Sequence, residues 1–213
     1  MREALVRRPP QPVFDVGFMQ LADLPQVRRI ERESFPSPWP RDSYRRELEE
    51  NERARYIVVR RLGARPDDGA SPRRRFPLSI FSFGGDAEGA RDIVGYAGVW
   101  LMIDEAHITT IAVGSLHRGV GLGELLLIHC IKVGRVAGAE RMTLEVRVSN
   151  TVAQRLYHKY GFFENGVRPR YYSDDLEDAL IMWSGRIDQA PFTALLAERE
   201  AALVQRLRWR SRL

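Results

Sequence analysis

The sequence is short of cysteine, short of lysine and without a long apolar run, and each shortage removes a class of protein. Cys130 is the only cysteine, so no disulfide can close within the chain, and a cysteine-based metal site is argued against. That residue sits in a helix-like apolar run, where a thiol behaves as a small hydrophobe. The sequence places no base beside it to make it a nucleophile. No stretch approaches the roughly 20 uninterrupted apolar residues that a membrane-spanning helix needs. The basic, Pro-rich start (Arg7, Arg8, Pro9, Pro10, Pro12) is followed by no apolar core of the kind a secretory signal has. A cytoplasmic protein without membrane contact is therefore expected, and no set of side chains argues for a metal.

What is present fits one folded domain with some decoration. The chain has 213 residues, 44% of them apolar and 29% charged, which separates it from disordered sequences. Its formal net charge is +5, and Lys132 and Lys159 are the only lysines among 33 basic residues. Such an excess of arginine suits polyanionic company: nucleic acid, a ribosome surface or an acidic cofactor. It follows equally well from genomic base composition.

Along the chain, residues 1–16 read as a flexible arm. A helix is expected from Leu21 to about Phe35, with Leu24, Val27 and Ile30 on its apolar side. The run Phe35-Pro36-Ser37-Pro38-Trp39-Pro40 cannot be helical and forms a rigid loop before a short helix near Arg41 to Asn51. Arg55 to Leu62 reads as a strand. Residues 63–92 break the rhythm and read as a surface insertion, with an extra strand possible at Phe76 to Phe83. Strands follow at Ile93 to Met102 and His107 to Val113, then a helix at Gly121 to Ala137 with His129 packed in its apolar stripe. Arg141 to Val148 is a strand, and Asn150 caps a helix that runs to Tyr160 and is closed by Gly161. Two further strands are expected at 162–166 and 179–184. Residues 186–213 should form a basic amphipathic helix opened by Pro191.

Two stretches carry chemistry. In the first, the strand end Ile111-Ala112-Val113 is followed by Arg118-Gly119-Val120-Gly121-Leu122-Gly123 at a strand-to-helix junction. Glycines admit close backbone approach, and the free N–H groups of a helix start attract anions. The same pattern also suits a tight turn with no ligand. It is neither a Walker loop nor a good dinucleotide fingerprint. In the second, Leu144-Glu145-Val146-Arg147-Val148-Ser149-Asn150 precedes Leu156-Tyr157 and Tyr160-Gly161-Phe162. Strand alternation puts Leu144, Val146 and Val148 on one face, Glu145 and Arg147 on the other. Glu145 reads as a catalytic carboxylate or as a surface acid paired with an arginine, and Tyr157 as an acid or a core residue.

Together these stretches resemble the GNAT acetyltransferase superfamily, and within it the branch that acetylates the N-terminal alanine of a ribosomal protein (RimI-like). The resemblance covers about residues 17–184 apart from 63–92, and is most specific from Glu105 to Trp183. The signature Arg/Gln-x-x-Gly-x-Gly/Ala stands as Arg118, Gly121 and Gly123. Arg170-Tyr171-Tyr172 and Glu177-Asp178-Ala179-Leu180-Ile181-Met182 match the same branch. The resemblance implies an α/β (α+β) fold whose mixed central sheet contains a splayed parallel strand pair, flanked by helices. It implies acetyl-CoA as cosubstrate, its pantetheine arm held by Ile111, Ala112 and Val113. Its diphosphate would be cradled by Arg118, Gly119, Val120, Gly121, Leu122, Gly123 and Glu124, with Asn150 touching the cofactor arm. Glu145 matches the general base and Tyr157 the general acid; Phe35, Pro36, Trp39, Tyr171 and Tyr172 occupy the substrate-gripping loops. Gly114-Ser115-Leu116 and Glu124 depart from the usual pattern, Glu124 standing where a small or basic residue is common.

The implied reaction is direct attack by a protein or peptide N-terminal amine, with a ribosomal protein as one candidate partner. An α-amine titrates near about 7.7–8.0 and a lysine near about 10.4, so a modest base acting through water suffices for the former. His107 and Glu105 lie near enough to order water or bind substrate. Arg-rich walls should favour peptides with acidic residues just downstream. The alternatives are a GNAT enzyme acting on a small amine or a lysine side chain, and a silent acetyl-CoA-sensing or RNA-docking module.

Overall fold

The structure, a computed structural model, describes residues 13–62, 92–207 and 209–211. Strands β1 (Val13–Phe18), β2 (Ala54–Leu62), β3 (Asp92–Leu101), β4 (Glu105–Val113), β5 (Arg141–Arg147), β6 (Phe162–Arg168), β7 (Ala179–Ser184) and β8 (Trp209–Ser211) form one mixed sheet. Their order across it is β6-β7-β5-β4-β3-β2-β1-β8. Only β4–β5 and β1–β8 are parallel pairs.

The centre of the sheet is buried on both faces, and β2 shows how alternation achieves this. Ile57 and Val59 point into a core shared with helix α3 (Leu122–Val136). Tyr56 and Val58 point into a second core under α1 (Leu24–Ser34) and α2 (Ser43–Glu49). Helix α1 is amphipathic, burying Leu24, Val27 and Ile30, and it stops where Phe35 turns extended ahead of Pro36. Helix α3 is apolar nearly all round because it lies between the sheet and α5 (Ala190–Arg206), whose Phe192, Leu196 and Leu203 join the same core. Helix α4 (Thr151–Lys159) begins at Asn150, whose side chain accepts the Ala153 N–H at 3.1 Å.

Both chain ends differ from expectation. Strand β1 starts at Val13, inside the stretch read as a free arm, because Phe14 and Val16 are buried apolar residues at period two. The C-terminal segment is not one long helix. It leaves α5 after Arg206 and adds β8 beside β1. The insertion read at 63–92, with its extra strand at Phe76 to Phe83, lies outside the described residues except for Asp92, which opens β3. Among the described residues no helix is long and apolar enough to cross a membrane.

The feature that makes a site is a fault in the sheet. Strands β4 and β5 pair only from Glu105↔Arg141 to Ile108↔Leu144. Beyond that point β4 continues against β3 alone and β5 against β7 alone. The β3–β4 register shifts between Gly98 and Val99, leaving Thr109 as an extra residue on β4. A bulge bends its strand and increases local twist, and here it falls one residue after the last β4–β5 pair.

Candidate active site

Glu145 is the first residue of β5 past the end of its pairing with β4, so its carboxylate stands where the two strands part. The parallel register brings His107 beside Thr143, and two residues further on Glu145 points to the same face. His107 Nε2 lies 3.1 Å from Glu145 Oε2, and His107 Nδ1 lies 2.8 Å from Thr143 Oγ1. With its proton on Nε2 the imidazole donates to Glu145 and accepts from the Thr143 hydroxyl. Arg168 reaches across β7 to Glu145 Oε1 at 3.3 Å. The Glu145 side chain is only 7% exposed, while that of Arg168 is 54% exposed. The hydrogen bond from His107, with the nearby charge of Arg168, outweighs burial and holds the Glu145 carboxyl below the ordinary range.

Tyr171 and Tyr172 sit on the loop after β6, which is built around Arg147. That guanidinium binds Asp174 and Asp175, makes a 2.9 Å bond to Glu177, and stacks 3.8 Å from the Tyr172 ring. Two left-handed residues, Arg170 and Leu176, close the loop, and Tyr171 meets Tyr172 edge-on at 5.2 Å. Arg147 and Arg168 are thus both engaged by carboxylates. Of the expected Arg-rich wall, Arg147 and Arg168 are therefore neutralised in the structure.

Tyr157, on α4, is buried, its ring 5.9 Å from Phe162. Burial, with neighbouring Cys130 and Tyr172, raises its phenol well above the usual value, so it keeps its proton at neutral pH. Cys130 itself is fully buried and its thiol is pushed up. His129 is buried too, bonded at 2.9 Å to the Leu125 carbonyl.

Phe35, Pro36 and Trp39 belong to a separately organised loop. Its anchor is Glu31, a buried carboxylate that accepts the Trp39 N–H at 3.0 Å and the Tyr44 hydroxyl at 2.9 Å. Tyr44 continues to Tyr96 at 3.0 Å and stacks on Trp39 at 5.4 Å. Phe35 and Trp39 are half-buried and Pro36 is exposed. Glu31 escaped the sequence reading because an acid on an Arg-rich helix looks like a surface residue. The cue was its i+4 spacing from Val27 on the apolar side.

The strand edge from Thr109 to Val113, which contains Ile111, Ala112 and Val113, faces the gap without a strand partner. It leads into a loop where Arg118 Nε donates to the Val113 carbonyl at 3.0 Å and Arg118 also bonds Ser34. Gly119 and Gly121 have φ of 79° and 103°, a conformation that other residues rarely adopt. Gly121 is the N-cap of α3, and neither it nor Gly119 puts a side chain over the helix start. Val120 is exposed, Leu122 is buried in the core and Gly123 passes Leu156 of α4. The profile of the Acetyltransferase (GNAT) family matches residues 24–162.

The chain belongs to the GNAT acetyltransferase family. Among GNAT relatives, a Bacillus subtilis (strain 168) protein provisionally named a ribosomal protein bS18-alanine N-acetyltransferase is 39% identical over 165 residues. That alignment spans 78% of this chain and 91% of the relative. An N-alpha-acetyltransferase of Sulfurisphaera tokodaii is 31% identical over 170 residues, 76% of this chain and 87% of its own. The crystal structure of the ribosomal-protein-S18-alanine N-acetyltransferase from Escherichia coli superposes with a TM-score of 0.62 at 27% identity, covering 84% of this chain and 96% of that one. As a GNAT acetyltransferase the chain uses acetyl-CoA, and the splayed β4–β5 pair is the GNAT feature that its sheet displays.

Proposed function

We propose that this acetyltransferase acetylates the N-terminal α-amine of a protein, with a ribosomal protein of the S18 kind as the candidate substrate. The observation that carries the reading is the His107–Glu145 pair at the mouth of the strand gap, in a chain whose relatives are named for N-terminal acetylation. Acetyl-CoA supplies the acetyl group already activated as a thioester. The unpaired edge at Ile111, Ala112 and Val113 suits a strand-like pantetheine arm, whose amides need backbone partners. The left-handed Gly119–Gly121 turn and the free N–H groups of α3 suit a diphosphate.

The protein's own groups then handle one proton on each side of the new bond. An incoming ammonium can displace the exposed Arg168 from Glu145 Oε1, since both are cations seeking the same oxygen. It gives its first proton to water there to become the neutral nucleophile. As the amine nitrogen bonds to carbon it becomes a strong acid, and Glu145 is placed to accept its hydrogen. A carboxylate held at low pKa keeps a proton poorly and passes it on to bulk water. The hydrogen bond from His107 Nε2 holds the carboxylate in place and leaves Oε1 to receive that proton. On the other side Tyr157, which holds its proton tightly, can hydrogen-bond the departing sulfur. Full transfer to a thiolate of ordinary pKa, about 8.5, is uphill for it, so solvent completes that step.

Retention of a desolvated base pair at the gap speaks against a silent sensor. The test is acceptor choice. Peptides with a free N-terminal Ala or Ser should be acetylated, and N-terminally blocked peptides of the same sequence carrying lysine should not, as read by mass spectrometry. Comparable rates on the blocked lysine peptides, or on small amines, would overturn the proposal.

A further inference from the structure

Glu124 is out of place for a helix start proposed to receive a diphosphate. It is the third residue of α3, in the turn where free N–H groups and the helix dipole attract anions. A carboxylate there competes with the coenzyme for the same field. In the structure it is turned away and bound. Its Oε1 accepts the Tyr160 hydroxyl at 2.8 Å and the Lys159 ammonium, and its Oε2 accepts Arg206 at 2.9 Å. The Glu124 side chain is 9% exposed, against 33% for Lys159 and 53% for Arg206. Burial would raise its carboxyl, but the bonds from Lys159, Tyr160 and Arg206 outweigh it and hold the group ionised.

Arg206 comes from the C-terminal helix. Helix α5 runs antiparallel along α3: Thr193 meets Arg135 at 2.9 Å, Glu200 meets Lys132 at 2.5 Å, and Leu203 reaches the N-cap. A Cβ on Gly121 would lie 3.0 Å from Leu203. The last turn of α5 therefore walls the start of α3 and delivers a cation there. One buried anion flanked by two partly exposed cations leaves a net positive cluster beside Gly121.

We propose that Arg206, together with Lys159, is a positioning residue for acetyl-CoA. It withdraws the Glu124 charge from the α3 N-terminus and leaves a surplus positive charge for the coenzyme's phosphates. This makes the C-terminal helix a working wall of the cofactor site, and it rests on the placement of the diphosphate proposed above. The reasoning is electrostatic, so it can be separated from packing by exchanging charges while keeping shape.

The experiment is calorimetric titration of acetyl-CoA into the full-length protein, with melting curves recorded for every variant. Arg206→Gln, which keeps the aliphatic stem, should weaken binding about five-fold at low salt. That is the order of effect expected of one unit charge acting across a partly screened path. The loss should narrow as salt is raised. Arg206→Lys should restore affinity to within about two-fold, and Glu124→Gln combined with Arg206→Gln should do the same, because the anion that needed offsetting is gone. Glu124→Gln alone should bind as tightly as the parent or tighter. Weak binding by the double variant or by Glu124→Gln would assign the cluster to packing and overturn the proposal. So would parental affinity in a folded Arg206→Gln. Gly121→Glu separates the two levels. If it abolishes binding while Arg206→Gln does not weaken it, only this inference falls; if a folded Gly121→Glu binds normally, the diphosphate placement itself is wrong.

Discussion

Replacing Glu145 by Gln keeps the volume of the side chain and removes its charge, so it isolates what the carboxylate does at the gap. In the structure that charge is shared by His107 at 3.1 Å and Arg168 at 3.3 Å. Arg168 is largely in water and loses little, so melting should shift by no more than the equivalent of about 1 kcal/mol. Turnover should respond far more, because positioned bases contribute typically about 10²–10⁴-fold. The depressed carboxyl fixes the pH dependence. Its folded pKa lies below the ordinary value, so it stays ionised across any assay above about pH 5 and contributes no limb there. The acid limb of the wild type must come from the amine. At pH 7 only about one α-amine in seven is neutral, given a pKa near 7.8. The Glu145→Gln enzyme can use only that fraction, whereas the parent can also seat the ammonium form on its carboxylate. A loss of about 100-fold in kcat/KM at pH 7 should therefore shrink by about seven-fold by pH 9, leaving the part that belongs to proton removal during attack. The assay is initial rate against pH on one Ala-terminated peptide. A loss that stays constant from pH 7 to 9 would refute the reasoning and reduce Glu145 to a positioning contact.

His107→Gln should lower turnover about ten-fold, and the Glu145→Gln, His107→Gln double variant should be little worse than Glu145→Gln alone, if His107 acts by orienting Glu145; additive losses in the cycle would separate them. Tyr157→Phe should leave acetyl-CoA affinity, read by calorimetry, near the parent value and reduce kcat about ten-fold, while unchanged kcat would return Tyr157 to a packing role against Phe162.

Much of this architecture can be read from the chain because the relevant signals are local. The period of Leu24, Val27 and Ile30, the Asn150 cap and the glycines before α3 each report a geometry that neighbouring residues impose. The resemblance of residues 105–183 to a known family then assigns them a fold. The ends of the chain are harder. A short strand such as Val13–Phe18 or Trp209–Ser211 draws its stability from a partner far away in sequence, and a three-residue strand has no periodicity to detect. The roles of Glu31 and Glu124 are hidden for a related reason. Glu31 stands among arginines and Glu124 in an apolar helix start, and only the fold shows that Tyr44 buries the first and that Tyr160, Lys159 and Arg206 gather round the second.

The same point explains where the site came to lie. Individually, His107, Thr143 and Glu145 are ordinary strand residues, and alternation alone says only which face each occupies. Pairing in register as far as Ile108↔Leu144 puts His107 beside Thr143, and the bulge at Thr109 then bends β4 away just as Glu145 is reached. Had pairing run on in register, Glu145 would face Thr109 across a closed ladder. The backbone groups of β4 would then be consumed by β5. Opening the ladder one residue earlier would cost a further pair of backbone hydrogen bonds, each worth about 1 kcal/mol net. Opening it later would consume the backbone groups of β4 that the gap leaves free. The position of a single extra residue in β4 thus sets both the free strand edge and the place of the Glu145 carboxylate beside it.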